Sequence, residues 1–280
     1  MVYFDACHIS VNNSGILADS ATIRARNNIQ PVYGIGRRGI FNQIPEDGIE
    51  GTVNFSYYIN LLSEPIFPLT NTFKNLTGSY DGINIVIGGV TGFNCYLTSY
   101  SLKSAPNQLV KAEAAFTTYK PFSGVLRARI SGENSISNFS GFLAHGWTTQ
   151  ILSGNSYLTV PIYDFNYNLE IDWSPVFTVA NSLSNQVELM QMSESMSFVR
   201  DVFHNIQFSG EEASRESSTA FLQKNNDNEI NLLPYHYIAS TGVNSPSLII
   251  SLSGTRIKTS EINVQLDDFV KTAVEVSKFY

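Results

Sequence analysis

Hydrophobic and polar positions alternate with period two over long stretches of this chain. In 110-VKAEAAF-116, Val110, Ala112, Ala114 and Phe116 share one face, and Lys111, Glu113 and Ala115 the other. In 270-VKTAVEV-276, Val270, Thr272, Val274 and Val276 do the same. Such alternation predicts half-buried antiparallel strands. The segment 52-TVNFSYYI-59 is β-branched and aromatic and predicts another. Within 52-TVNFSYYINLLSEPIFPLTNTFKNL-76 a short helical stretch is expected to follow the strand, with Ser63 as N-cap and Pro65 in the first turn.

The two alternating strands belong to a repeat. Val110-Lys111 aligns with Val270-Lys271, an offset of 160, and at that offset Leu97 meets Ile257, Ser99 meets Thr259 and Leu102 meets Ile262. Each copy is read as an apolar strand, a glycine-containing turn, a strand, a polar turn and a final alternating strand. The apolar strands are 83-INIVIGG-89 and 248-LIISLSG-254. More loosely, 3-YFDACHISVN-12 is matched to 163-YDFNYNLEID-172 as an entering long strand, and the segment from Thr52 to Leu76 to 217-SSTAFLQKNNDNEINLL-233. The organisation expected is a first β domain over 1–123, an ordered β connector over 124–160 and a second β domain over 161–280.

The chain has 280 residues and a formal net charge of −7, which argues against a protein that wraps nucleic acid but not against a surface past which DNA slides. No apolar run reaches the length of a membrane span, and the start has no signal-peptide pattern. Cys7 and Cys95 have no C-x-x-C spacing and are expected as free thiols; a bridge requires their strands to be adjacent. The histidines are scattered, so no metal or cofactor site is expected.

The stretch 33-YGIGRRG-39 matches G-x-G-x-x-G. A dinucleotide loop needs a strand before it and a helix after it, so that the helix N-terminus faces the pyrophosphate. Here 40-IFNQIPEDGIEG-51 carries Pro45, Gly48 and Gly51 and cannot hold a long helix. The loop is expected to join strands, with glycines at positive φ. His145 has no serine or cysteine partner, and the carboxylate pairs at Glu46-Asp47, Glu211-Glu212 and Asp267-Asp268 sit beside turn residues. No catalytic residues are assigned. Trp147 and Trp173 could form a sugar-stacking platform, or serve as core or interface anchors.

The stretches 49-IEGTVNFSYYINLLSEPIFPLTN-71 and 83-INIVIGGVTGFNCYLTSYSLKSAPNQLVKAEAAFTTYKPF-122 resemble the tail-tube-fold proteins of tailed bacteriophages. The resemblance lies in a strand ending in SYY, a proline-containing helix, a strand ending in Gly-Gly, and then YLTSYS…PNQLVKAEAAFTTY. The resemblance implies two tandem antiparallel β-sandwich or half-barrel domains, each with a short flanking helix. It also implies strands shared with neighbours around a lumen, and a pseudo-sixfold trimer lining the DNA-ejection channel. The site of action would be the virion tail, assembled in the host cytoplasm with other tail and baseplate proteins. A baseplate hub or tube initiator is the alternative within that class; a carbohydrate-binding β-sandwich module is the alternative outside it. Under this reading Gly34, Gly36, Arg37, Arg38 and Gly39 form a subunit-contact loop, with 187-VELMQMSESMSF-198 at the comparable place in the second half. Lys111, Glu113, Lys271 and Glu275 are candidates to face the lumen.

Overall fold

A computed structural model describes residues 7–26, 29–33, 35–36, 38–45, 49–59, 64–74, 76, 80–105, 108–126, 147–153, 156–178, 181–201, 228–237, 244–246, 250–263 and 271–280. The strands are β1 (Cys7–Val11), β2 (Ser14–Arg26), β3 (Ile29–Tyr33), β4 (Ile40–Pro45), β5 (Glu50–Tyr58), β6 (Ile83–Ile87), β7 (Val90–Ser104), β8 (Lys111–Thr118) and β9 (Ser123–Gly124). They continue as β10 (Trp147–Ser153), β11 (Ser156–Thr178), β12 (Asn181–Asp201), β13 (Asn228–Tyr237), β14 (Asn244–Pro246), β15 (Ile250–Asn263) and β16 (Lys271–Phe279). One helix, α1 (Phe67–Lys74), lies between β5 and β6. The fold is mainly β and antiparallel, with a single short helix among the described residues.

The strands form two closed circuits that share a joint. In the first, β7 pairs β6, β6 pairs β1, β1 pairs β2, β2 pairs β5, β5 pairs β8, and β8 returns to β7. In the second, the order is β15, β13, β10, β11, β12, β16 and back to β15. The joint is the antiparallel pair β7–β11, from Ser104↔Phe165 to Ser99↔Glu170.

The two circuits repeat residue by residue. On β7–β8, Lys103 faces Lys111 and a bulge falls between Leu97 and Ser99; on β15–β16, Asn263 faces Lys271 and a bulge falls between Ile257 and Thr259. The bulged residues Thr98 and Lys258 differ by the offset of 160 found in the sequence. On β2–β5 a bulge lies between Ala18 and Ser20, and on β11–β12 one lies between Ile162 and Asp164. On β6–β7 and β13–β15 bulges lie between Ile83 and Ile85 and between Asn228 and Ile230. A bulge re-aims a strand at one defined position, so three coincidences make the two circuits the same construction. β11 therefore corresponds to β2, β12 to β5, β13 to β6, β15 to β7 and β16 to β8.

This correspondence corrects three readings of the sequence. Ile250–Asn263 is one continuous strand, so 248–254 does not pair off as a separate strand before a turn. The counterpart of 163–172 is β2 rather than β1, and the counterpart of β5 is the end of β12 rather than 217–233. In the second circuit no flanking helix occurs among the described residues. The boundary drawn at 160–161 falls inside β11, while β10, in the stretch read as a connector, pairs with β11 and β13.

Helix α1 covers the joint. Phe67 packs against Tyr100 of β7 and Tyr167 of β11, each at 6.2 Å between ring centroids. Phe73 meets Tyr80 at 5.1 Å and Trp173 of β11 at 5.5 Å. Burying each such ring contributes about 1.5–3 kcal/mol, so the helix ties the two circuits through one core. Ser63 lies outside the described residues and Pro65 precedes the helix. Glu64 performs the capping: its Oε1 accepts the backbone N–H groups of Ile66 and Phe67, each at 3.1 Å, and the Tyr57 hydroxyl at 2.6 Å.

Candidate assembly surface

The glycine loop is the tip of a hairpin. Among the described residues β3 and β4 pair only with each other, and Tyr33 faces Ile40 across the ladder. Gly36 and Gly39 take φ of +82° and +107°, the left-handed region glycine enters without cost. A strand follows the loop where a dinucleotide fold needs a helix, so the phosphate cradle is not built. The tip is apolar and open: Tyr33 is 68% exposed, Ile40 53%, and Ile35 fully. Arg38 is exposed beside them, while Gly34 and Arg37 lie outside the described residues. The proposed counterpart, 187–198, is no loop; it is the interior of β12, with Glu188 exposed and Glu194 buried.

A second feature is a wide polar face. Eight strands run in unbroken antiparallel sequence: β2, β5, β8, β7, β11, β12, β16 and β15. Across six of them, register places Ser56, Glu113, Ser101, Asn168, Ser195 and Ser277 in one row on one face. The neighbouring row contains Lys111, Lys103, Asn166, Ser197 and Glu275. Lys111, Glu113 and Glu275 thus come onto one continuous face, and Lys271 occupies a register position of the same parity, its side chain outside the described residues.

Charge on this face is mostly self-compensated. Lys111 Nζ lies 2.6 Å from Asp19 Oδ2, and Lys103 Nζ 3.6 Å from Glu113 Oε2. Burial pushes the Asp19 carboxyl up, but hydrogen bonds from Lys111 and from the Ser56 hydroxyl outweigh it and hold the group below its ordinary range. A broad groove of about 680 Å³ opens here, walled in part by Lys103, Lys111, Asp164, Asn166, Ser197 and Glu275.

The opposite face is core. Tyr57, Ala112, Leu102, Tyr167 and Met196 form one of its rows and are all buried. Trp173 belongs here: its Nε1 donates to Leu97 O at 2.7 Å and its ring packs on Phe73, Tyr80 and Tyr96, so it is a core anchor rather than a sugar platform. Trp147's side chain, His145 and the three carboxylate pairs lie outside the described residues. Cys95 is a free, buried thiol whose pKa burial raises to about 12, and β6 separates β7 from the strand of Cys7.

Sequence reasoning expected strands shared with neighbours but did not locate the open edges. β1 accompanies β2 only as far as Ala18, and among the described residues Asp19–Arg26 has β5 as sole neighbour. β13 accompanies β15 only as far as Thr255, and Arg256–Asn263 has β16 alone. Among the described residues, no cluster of side chains suits a metal ion, and no helix is long and apolar enough to cross a membrane. No protein-family model matches the chain, and no curated protein matches it.

Proposed function

We propose that the chain is a structural subunit of a tube, a virion tail-tube-type protein whose rings line a channel for DNA. The observation that carries this reading is the eight-stranded antiparallel run with an edge at each end that is open among the described residues. Unpaired edges invite association unless they are used. Because the run has an even number of strands, its two terminal strands point in opposite directions. Head-to-tail joining of copies therefore preserves the antiparallel alternation, and a head-to-tail contact that closes makes a ring.

Each chain supplies two four-stranded units in the same order, so three chains supply six. At about 4.8 Å between strands and a tilt near 40°, three times eight strands enclose a barrel about 48 Å across between backbones. Such a barrel leaves room for a duplex. The polar face supports the same reading: its serines and asparagines, with lysines paired to acids, give DNA little to hold along a row that ends at Arg256 of β15. The hairpin tip, apolar and basic, provides a contact between stacked rings.

The test is mass and shape together, by light scattering and negative-stain microscopy of the full chain. Rings of three chains with a central hole, stacking into tubes, are the expected result. Single rings that never stack would move the assignment to a hub or initiator. A monomer at all concentrations, with affinity for glycans, would overturn the reading.

A further inference from the structure

The joint inside the chain specifies the joint between chains. β7 corresponds to β15 and β11 to β2, and the segments that meet within the chain are Ser99–Ser104 and Phe165–Glu170. Carried through the offsets of 160 on one side and 144 (Ile162 against Ala18) on the other, these segments become 259–264 and 21–26. Positions 259–263 and 21–26 fall within the two edges that lack a second neighbour among the described residues. We infer that β15 of one copy pairs antiparallel with β2 of the next, in the register Asn263↔Thr22, Ile262↔Ile23, Glu261↔Arg24, Ser260↔Ala25 and Thr259↔Arg26.

Direction, the bulges that set the offsets, and charge all bear on this register. The direction is antiparallel, as the even strand count requires. The bulges that precede the contact segments match: Thr98 and Lys258 on one strand, Asp19 and Tyr163 on the other. The register also sets Glu261 opposite Arg24, an attractive cross-strand pair; a shift of two residues sets Glu261 opposite Thr22 in one direction and opposite Arg26 in the other, so the cross-link rather than the charge decides between the registers. At the equivalent place within the chain, Ser101 faces Asn168, so the charged pair is particular to the contact between copies.

The inference rests on the ring reading and is separable from it by experiment. One full-length chain carries Arg24→Cys and another Glu261→Cys; the two are mixed under oxidising conditions, and the disulfide-linked peptides are identified by mass spectrometry. The expected product is a species of twice the chain mass with residue 24 joined to residue 261, formed well above the level given by Arg24→Cys with Arg256→Cys. Rings that form without the 24–261 link, or link equally at 256, overturn this register while leaving the ring reading intact. A chain that stays monomeric by light scattering and gives no link overturns both. As a second readout, Arg24→Glu and Glu261→Arg each weaken assembly, and mixing them within one chain restores it; singles that assemble like the parent overturn the ion pair.

Discussion

Lys74, at the end of helix α1, places its Nζ 2.7 Å from Oε1 of Glu194 in β12, whose side chain is fully buried. Glu194 also accepts the hydroxyls of Tyr167 and Tyr280, both at 2.5 Å. The carboxylate gathers a helix of the first circuit and two strands of the second, and Tyr280 is held further by its N–H on Met192 O at 2.9 Å. Burial and the neighbouring carboxylate raise the pKa of both tyrosines, so both remain donors.

Removing one member of a buried, hydrogen-bonded ion pair leaves the others desolvated and unpaired. Glu194→Ala is expected to cost about 3–5 kcal/mol, and Tyr280→Phe, which removes one donor, about 1–3 kcal/mol. Urea unfolding followed by tryptophan fluorescence measures both, since Trp173 lies in the adjoining core. A change under 1 kcal/mol for Glu194→Ala would show that the network adds nothing to the tie between the circuits.

Glu64 supplies a pH dependence. Burial raises its pKa from 4.5 to about 6, against the hydrogen bonds from Tyr57 and the Phe67 and Ile66 amides that favour the carboxylate. Its Oε2 has no hydrogen-bond partner among the described residues. The folded state therefore holds this proton more tightly than the unfolded chain. Between pH 4.5 and about 6 the folded protein binds more protons, so stability falls as pH rises through that window and the loss is complete above it. The magnitude is about 2 kcal/mol. Glu64→Gln keeps an oxygen for the helix amides and is expected to flatten this slope; melting temperatures from pH 4 to 8 would show it, and an unchanged slope would clear Glu64.

Much of this was legible in the sequence, and what failed did so for physical reasons. The alternation around Ala112 and Val274 is undisturbed, so the closing strands and their offset could be read directly. Residues 187–198 misled because Met190 is bulged out: Trp173 faces Leu189 while Asp172 faces Gln191, and the buried phase shifts by one residue. Val187 and Met192 are then both buried, which breaks period two in the one-dimensional pattern. Gly254 looked like a turn because strands seldom keep glycine; here β15 exchanges one neighbour for another just past it, β13 as far as Thr255 and β16 from Arg256. Glu194 sits in the hydrophobic phase of its strand, and nothing local announces a lysine at position 74 as its partner. Tight packing around Gly82 was equally hidden: its φ is +73°, and a Cβ there would lie 2.6 Å from the Asn94 carbonyl carbon.

That geometry makes Gly82→Ala a clean probe of the β6–β7 hairpin. The substitution strains a backbone conformation that L-residues rarely adopt and collides with backbone rather than with a movable side chain. A cost of about 1–3 kcal/mol is expected, read as a lower urea midpoint with the same slope. No loss would mean that Asn94 shifts freely.

The hairpin tip should act between rings rather than within them. Tyr33 and Ile40, on strands that pair only with each other among the described residues, and Ile35 in the turn between them are exposed, and the loop adds two arginines with no acid between residues 33 and 40. Reversing both charges, Arg37→Glu with Arg38→Glu, or placing Ile35→Asp at the tip, is expected to leave ring mass unchanged and to abolish stacking into tubes. Light scattering reports the first and negative-stain microscopy the second. Tubes that persist in both variants would remove the loop from assembly.

The polar face makes the last prediction. If it lines the channel, its function is to let a polyanion pass without holding it, and the row Glu113, Ser101, Asn168, Ser195 and Ser277 presents one carboxylate among neutral hydroxyl and amide groups. Each lysine added there recruits phosphate and releases counterions, so affinity for DNA should appear and fall with salt in proportion to the charges introduced. Ser101→Lys, Asn168→Lys and Ser195→Lys together give three per chain on a surface exposed to the lumen. Assembled rings of this variant are expected to retain duplex DNA at low salt and release it as salt rises, while the parent rings retain none. If the variant rings also ignore DNA while the chain remains folded and assembled, this face looks outward and the channel must be lined by another.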